Sequence, residues 1–171
     1  MDFSDVIRGR ESVRSYDPAR PVARATIERI LEAGRIAPSA ANRQPWRFLL
    51  VSSREVLAKV RRSYSKPWFQ DAPHVLAVTG RVGEAWTRQD GYNSIETDLA
   101  IAMDHMILAA ENEQVGACWI AAFDHEILRA ALGLASDERV YAITPLGYPR
   151  ADWAKKGQKQ RKAFSEIVRF L

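Results

Sequence analysis

Two hydrophobic patterns alternate along the chain: a helical period of three to four residues, and short continuous apolar runs that suit buried strands. Phe3, Val6 and Ile7 fall on one face of a short helix that Asp2 can cap, after which Arg8-Gly9-Arg10 breaks the period. From Thr26, residues Ile27, Ile30, Leu31 and Gly34 share one side of a second helix, with Glu28, Arg29, Glu32 and Arg35 on its wet face. Phe48 to Val51 predicts a buried strand, and Ser53 caps a helix carrying Val56, Leu57 and Val60. An aromatic loop, Tyr64 to Pro73, leads to a second apolar strand, His74 to Thr79. Ser94 to Glu113 predicts the longest helix, in which Ile95, Leu99, Ile101, Met103, Met106, Ile107 and Leu108 leave few angles free of apolar residues. Such a helix must be covered on more than one side, by its own sheet alone or by the sheet and a second subunit. Val115 to Phe123 then turns into a strand-like run, and Asp124 caps a helix of Ile127, Leu128 and Leu132 closed by Gly133. Val140 to Leu146 is a last internal strand, interrupted by Pro145, and the apolar end Ser165 to Leu171 is expected to dock and not to hang free. This periodicity alone leaves α/β and α+β architectures open.

Two connections carry more chemistry than connections need. Ala37 to Phe48 packs Pro38, Pro45, Asn42, Gln44 and Trp46 between a helix and a strand. Proline fixes φ at two positions and restrains Ala37 and Gln44 before them, so this loop loses little entropy when a ligand docks. Asn42 and Gln44 can each donate and accept, which suits the alternating N–H and C=O edge of a planar heterocycle; a polar turn facing water uses the same residues. The second connection, Arg81 to Asn93, has no sustained period and reads as a mobile excursion, with Trp86 and Tyr92 as candidates to stack on an aromatic substrate or as the anchors of a plain surface loop.

Composition narrows the class. A content of 47% hydrophobic and 27% charged residues in 171 fits one soluble domain. With neither an amino-terminal signal pattern nor a long charge-free apolar run, no membrane association is expected and a cytoplasmic location is. Cys118 is the single cysteine, and His74, His105 and His125 lie far apart without ligand spacing, so no disulfide and no metal site are expected. The chain has no G-x-S-x-G elbow, Walker loop or G-x-G-x-x-G fingerprint, which sets aside hydrolase, P-loop and Rossmann readings. A bound cofactor with its own redox chemistry is the economical alternative, and no side chain then needs to be a catalytic acid.

Charge adds a ligand class. The net charge is +4, and Ala151 to Lys162 holds Lys155, Lys156, Lys159, Arg161 and Lys162 against Asp152 alone. A solvated tail, a nucleic-acid arm and a phosphate clamp all fit, but the tail has no interleaved stacking aromatics beyond Trp153, so no nucleic-acid partner is expected. Near the other end, Arg10, Ser12 and Arg14 alternate, and an extended segment there would aim two guanidinium forks and a hydroxyl at one anion.

The stretch Pro38-Ser39-Ala40-Ala41-Asn42-Arg43-Gln44-Pro45-Trp46 closely resembles the P-S-x-x-N-x-Q-P-W stretch of the nitroreductase family of FMN flavoproteins. Arg10-Glu11-Ser12-Val13-Arg14, Ala117-Cys118-Trp119-Ile120 and Lys159-Gln160-Arg161 follow in the family's order, so the likeness covers nearly the whole chain. It implies an α+β fold with a mostly antiparallel sheet flanked by helices, the long helix central, in a domain-swapped homodimer whose arm, about residues 150–171, wraps onto the partner. It also implies non-covalent FMN, held at Arg10, Glu11, Ser12 and Arg14, at Pro38, Ser39, Ala40, Asn42 and Gln44, at Trp119, Ile120, Ala121 and Ala122, and at Lys159 and Arg161. Many members have glycine at one of the Ala121 and Ala122 positions, with a backbone N–H against flavin N5; alanine keeps the N–H and narrows the tolerated φ/ψ. The implied activity is ping-pong transfer of hydride from NAD(P)H to nitroaromatics, quinones or similar electron-poor rings. A dehalogenase or flavin-consuming enzyme of the same fold, or a flavin- or nucleic-acid-binding module without turnover, is the alternative.

Overall fold

A computed structural model describes residues 1–157 and 159–171. Its helices are α1 (Phe3–Gly9), α2 (Arg24–Arg35), α3 (Arg54–Arg61), α4 (Pro67–Gln70), α5 (Ile95–Asn112), α6 (His125–Leu132) and α7 (Phe164–Ile167). Its strands are β1 (Trp46–Val51), β2 (His74–Arg81), β3 (Gly116–Ala117) and β4 (Glu138–Gly147), which form one antiparallel sheet in the order β1-β2-β4-β3. The fold is therefore α+β, as the resemblance implies.

Local signals place the helix starts correctly. Asp2, Ser53 and Asp124 accept from the backbone N–H of Ser4, Val56 and Ile127, satisfying donors that the first helical turn leaves open. Gly133 ends α6 at φ 64, a left-handed conformation that costs glycine little. The aromatic loop holds one short helix, α4, with Pro67 in its first turn, where a missing N–H is harmless. Tyr64, Trp68 and Phe69 there meet edge to face, with ring centroids 5.3 to 6.2 Å apart.

Two expectations need correction. Pro145 does not interrupt β4, because the ladder to β2 runs through the pair Val75 and Pro145. The strand-like run after α5 is shorter than its apolar pattern suggests: pairing stops after Ala117, Cys118 donates its N–H to Thr144 Oγ1 at 3.0 Å, and Ile120 makes only an isolated bridge to Ile143. The arm's apolar end lies open on its own chain. Phe164, Ile167, Phe170 and Leu171 are exposed, as are Phe3 and Ile7 on α1, where only Val6 is buried.

Helix α5 is the centre of the larger core, touching α1, α2 and all four strands. Leu99, Ala102, Met103, Met106 and Ala110 are almost wholly buried. Gly34 of α2 lets Met106 approach so closely that an added Cβ would stand 2.7 Å from its Sδ, and Gly80 of β2 does the same for the carbonyl of Pro45 at 2.6 Å. A second core of Leu57, Val60, Phe69, Val75, Ile120, Leu128 and Ile143 fills the opposite face under α3 and α6.

One buried imidazole joins the amino-terminal segment to the sheet. His74 Nε2 accepts from Val22 N–H at 3.1 Å, while Nδ1 lies 2.8 Å from Ser52 Oγ. The first contact requires an unprotonated Nε2, and burial alone holds the imidazole below its ordinary value of about 6.5. The unfolded chain then binds the proton more readily, so this contribution is complete above the ordinary imidazole range and is lost as the pH falls towards the folded value. We expect the urea-unfolding free energy to decline from about pH 7 to about pH 5, and His74→Gln, which keeps an acceptor for Val22, to flatten that decline. An identical decline in the variant would contradict this assignment.

Candidate functional site

The Ala37 to Phe48 connection is rigid for reasons beyond its prolines. Ala41, Asn42 and Gln44 all have φ near +50°, a left-handed conformation that side-chain-bearing residues rarely adopt. Holding each of them there costs about 1 kcal/mol or more, so the surroundings must impose it. Asn42 N–H donates to Ser39 O, Arg43 N–H to Ala40 O, and Gln44 N–H to Ser39 Oγ at 2.9 Å. The main anchor is Asp98 of α5, 2% exposed, whose Oδ1 accepts from Ala40 N–H at 2.9 Å and whose Oδ2 accepts from Ser94 Oγ at 2.7 Å. Along the tip, Gln44 Nε2 donates to Asn42 Oδ1 at 3.2 Å. Asn42 Nδ2 and Gln44 Oε1 keep no partner among the described residues, and so present a donor beside an acceptor.

Arg81 to Asn93 is ordered by its own contacts and is no irregular excursion. A 3-10 turn at Val82–Glu84 is followed by a bridge between Thr87 and Asn93, and Arg88 pairs with Asp90 while lying over the Tyr92 ring at 4.9 Å. Tyr92 also hydrogen-bonds Thr97 Oγ1. Trp86 and Tyr92 line one open cavity of about 290 Å³ with Pro38, Ser39, Ala40 and Ile101, so the two connections form a single aromatic-walled site.

The phosphate candidates gather elsewhere. Arg10, Ser12, Arg14, Lys156, Lys159 and Arg161 line a cleft of about 200 Å³ together with Glu11 and Trp153. Extended backbone after α1 supplies the first group, and the arm returns across the chain to supply the second. Burial, and then the nearby Arg10 and Arg161, hold the Lys159 ammonium below its ordinary range. Cys118 lies deeper, and burial outweighs Arg14 and raises its thiol, so it is no ready nucleophile.

The third predicted group starts at that cleft. Val13 N–H donates to Ala117 O and Ser12 bridges Ala117, so the chain from Ala117 to Ala122 leads away from the phosphate candidates. A bulge in β4 leaves Tyr141 unpaired with β2, and its ring meets Trp119 edge on at 5.8 Å. Ile120 is buried, whereas Ala121 and Ala122 are exposed, and Ala121 lines a cavity of about 400 Å³ with Glu96, His125, Arg139 and Tyr141.

One chain does not join these groups. The loop is anchored to α5 at Asp98, while the arm pairs Lys155 with Glu111 of the same helix. At about 1.5 Å per residue, that separates their attachment points by roughly 20 Å. Sequence reasoning missed Asp98 as an anchor; its signal was an acid four residues after Ser94 in a helix otherwise apolar on that side.

An antiparallel α+β sheet around one apolar helix, with a cationic cleft and a strained polar loop, defines the class, and comparison with known proteins supplies the family. The Nitroreductase family matches residues 7–66 and 55–148, and the chain belongs to that family. A nitroreductase family protein from Clostridium difficile is 30% identical with a TM-score of 0.91, over 99% of this chain and 98% of its own. An Archaeoglobus fulgidus protein provisionally named NADH dehydrogenase/NAD(P)H nitroreductase is 31% identical over 85% of this chain and 84% of its own. A provisionally named nitroreductase from Desulfovibrio desulfuricans, solved in complex with FMN, is 25% identical with a TM-score of 0.79, over 98% of this chain and 95% of its own.

If Asp98 anchors the loop, Asp98→Ala strands the Ala40 N–H and Ser94 hydroxyl and costs about 1.5 to 3 kcal/mol. Urea denaturation measures this, and a loss under about 0.5 kcal/mol, typical of a surface change, would contradict the anchor.

Proposed function

We propose that the protein is an FMN-dependent oxidoreductase that draws on NAD(P)H and reduces nitroaromatics, quinones or similar electron-poor rings. The observation that carries the proposal is the convergence of Arg10, Ser12 and Arg14 with Lys159 and Arg161, from the two ends of the chain, on one phosphate-sized cleft. Four cations and a hydroxyl suit a terminal phosphomonoester, whereas neutral ligands would leave those charges uncompensated. FMN, when bound, would supply the hydride chemistry between nicotinamide and acceptor, and the protein's own residues would hold the ring, tune it and admit the partners.

In this proposal the run Trp119, Ile120, Ala121 and Ala122 would border the ring, since it follows directly on Ala117, which bridges Ser12 of the phosphate cleft. A backbone N–H at Ala121 or Ala122 serves the ring's N5 side, as the family resemblance implies. Pro38, Ser39, Ala40, Asn42 and Gln44 present their donors and acceptor to the polar ring edge. Because their loop sits at the far end of α5, it meets the ring across an interface, with a second copy contributing it. The exposed apolar residues of α1 and of the arm, including Phe3, Ile7, Phe164, Ile167 and Phe170, are surfaces for that second copy. Trp86 and Tyr92 then border the acceptor's pocket.

The purified protein should be yellow, and denaturation should release FMN; no flavin after reconstitution with FMN would refute the proposal. Lys159→Ala with Arg161→Ala should raise the FMN dissociation constant about tenfold to a thousandfold, the equivalent of roughly 1.5 to 3 kcal/mol. Steep salt-dependent DNA or RNA binding with unchanged FMN affinity would instead make the basic arm a nucleic-acid arm.

With no Rossmann fingerprint, reductant and acceptor should share one pocket in turn and give parallel, ping-pong steady-state lines. Intersecting lines would oppose a shared pocket. Trp86→Ala and Tyr92→Ala should alter kcat/KM for the acceptor while leaving FMN affinity within about twofold; acceptor kinetics unchanged in both would remove the Arg81 to Asn93 connection from the pocket.

A further inference from the structure

Building on the proposed FMN site, we infer that Glu11 is a positioning residue: its carboxylate tethers the carboxy-terminal arm so that Lys159 and Arg161 stand over the phosphate cleft. Glu11 Oε2 accepts from Lys156 N–H at 2.9 Å and Oε1 from Gly157 N–H at 2.8 Å, contacts that span 145 and 146 residues of chain. Gly157 has φ 73, and a left-handed residue of this kind turns successive N–H groups towards one anion. Those two N–H groups hold the Glu11 carboxyl below its ordinary range, so both oxygens are charged acceptors at neutral pH. A second contact lies next along the arm, where Lys159 Nζ donates to Ile7 O at 2.9 Å. The arm is thus pinned at Lys156, Gly157 and Lys159 to the segment that carries Arg10, Ser12 and Arg14. Without the Glu11 contacts, the exposed Lys159 bond and the Lys155–Glu111 pair are the polar contacts from Lys155 to Arg161 that still tie the arm to the rest of the chain among the described residues, while Trp153 packing and the Arg150–Asp71 pair hold the arm further upstream.

The sign of the effect separates this role from a passive one. Glu11 lines the cleft with a negative charge, and by Coulomb's law alone that charge weakens the binding of a phosphate. Were repulsion its main effect, Glu11→Gln would tighten FMN binding. As a tether, Glu11→Gln keeps the shape but sets an amide NH₂ against one of the two backbone N–H groups, so the arm loosens and affinity falls. The loss should also vanish once the residues being positioned are gone.

The test compares wild type, Glu11→Gln, Lys159→Ala/Arg161→Ala and the triple variant, all as full-length protein. FMN affinity is read by fluorescence titration, and arm exposure by the rate of tryptic cleavage at Lys155 and Lys156 in flavin-free protein. We expect Glu11→Gln to weaken FMN binding by about tenfold, the scale of one charge-assisted hydrogen bond, and to speed arm cleavage. In the Lys159→Ala/Arg161→Ala background, the same substitution should change FMN affinity by less than about twofold while still speeding cleavage. Unchanged or tighter FMN binding in Glu11→Gln, unchanged cleavage, or an undiminished loss in the triple variant overturns the inference. A wild-type protein that takes up no FMN would strike the cofactor reading instead, and the cleavage comparison, which needs no flavin, would still decide whether Glu11 holds the arm.

Discussion

Burying α5 is the constraint from which the rest of the architecture follows. An 18-residue helix with apolar side chains at most angles cannot rest in water on any broad face, so α2, α1 and the sheet close around it. The one acid turned into that packing, Asp98, is stabilised by the Ala40 N–H and the Ser94 hydroxyl, and in return it anchors a loop with three left-handed non-glycine residues. The far end of the same helix offers Glu111 to Lys155 and steadies the start of the basic arm. One helix therefore acts as a spacer, carrying a polar loop at one end and a cationic cleft at the other.

That spacing explains why one chain brings the predicted residues into separate cavities. The cleft residues come from the two chain ends and converge, while the loop remains a helix length away. In the dimer proposed above, a second copy seated on the apolar faces that α1 and the arm leave exposed would resolve both the divided site and the uncovered surface. The two features have a common solution, which is stronger support for it than either alone.

What the sequence disclosed and what it concealed divide along the range of the interactions. Caps at Asp2, Ser53 and Asp124 were legible because each depends on residues two or three positions away. The Arg10, Ser12 and Arg14 cluster was legible as alternating chemistry, and its union with Lys159 and Arg161 followed from the family resemblance. Long-range contacts were hidden. Pro145 looked like a strand break, yet Thr144 Oγ1 takes the Cys118 N–H and the pairing to β2 continues. The anchoring role of Asp98 was hidden because its partner Ala40 lies 58 residues away, and Glu11 was absorbed into an anion-binding motif although its carboxylate serves the backbone of the arm. The apolar end Ser165 to Leu171 was expected to dock; a sequence names an apolar face without naming which molecule covers it.

The central claim, a cofactor site completed by a second copy, is tested most directly by mixing subunits. One copy carries Arg10→Ala and Arg14→Ala, which disable its cleft, and the other carries Asn42→Ala and Gln44→Ala, which disable its loop. If cleft and loop meet across the interface, each pure variant binds FMN weakly, whereas the mixed dimer holds one intact site and binds one FMN per dimer with affinity close to that of wild type. Mixed dimers that bind FMN no better than either parent would place the whole site within one chain and contradict the account.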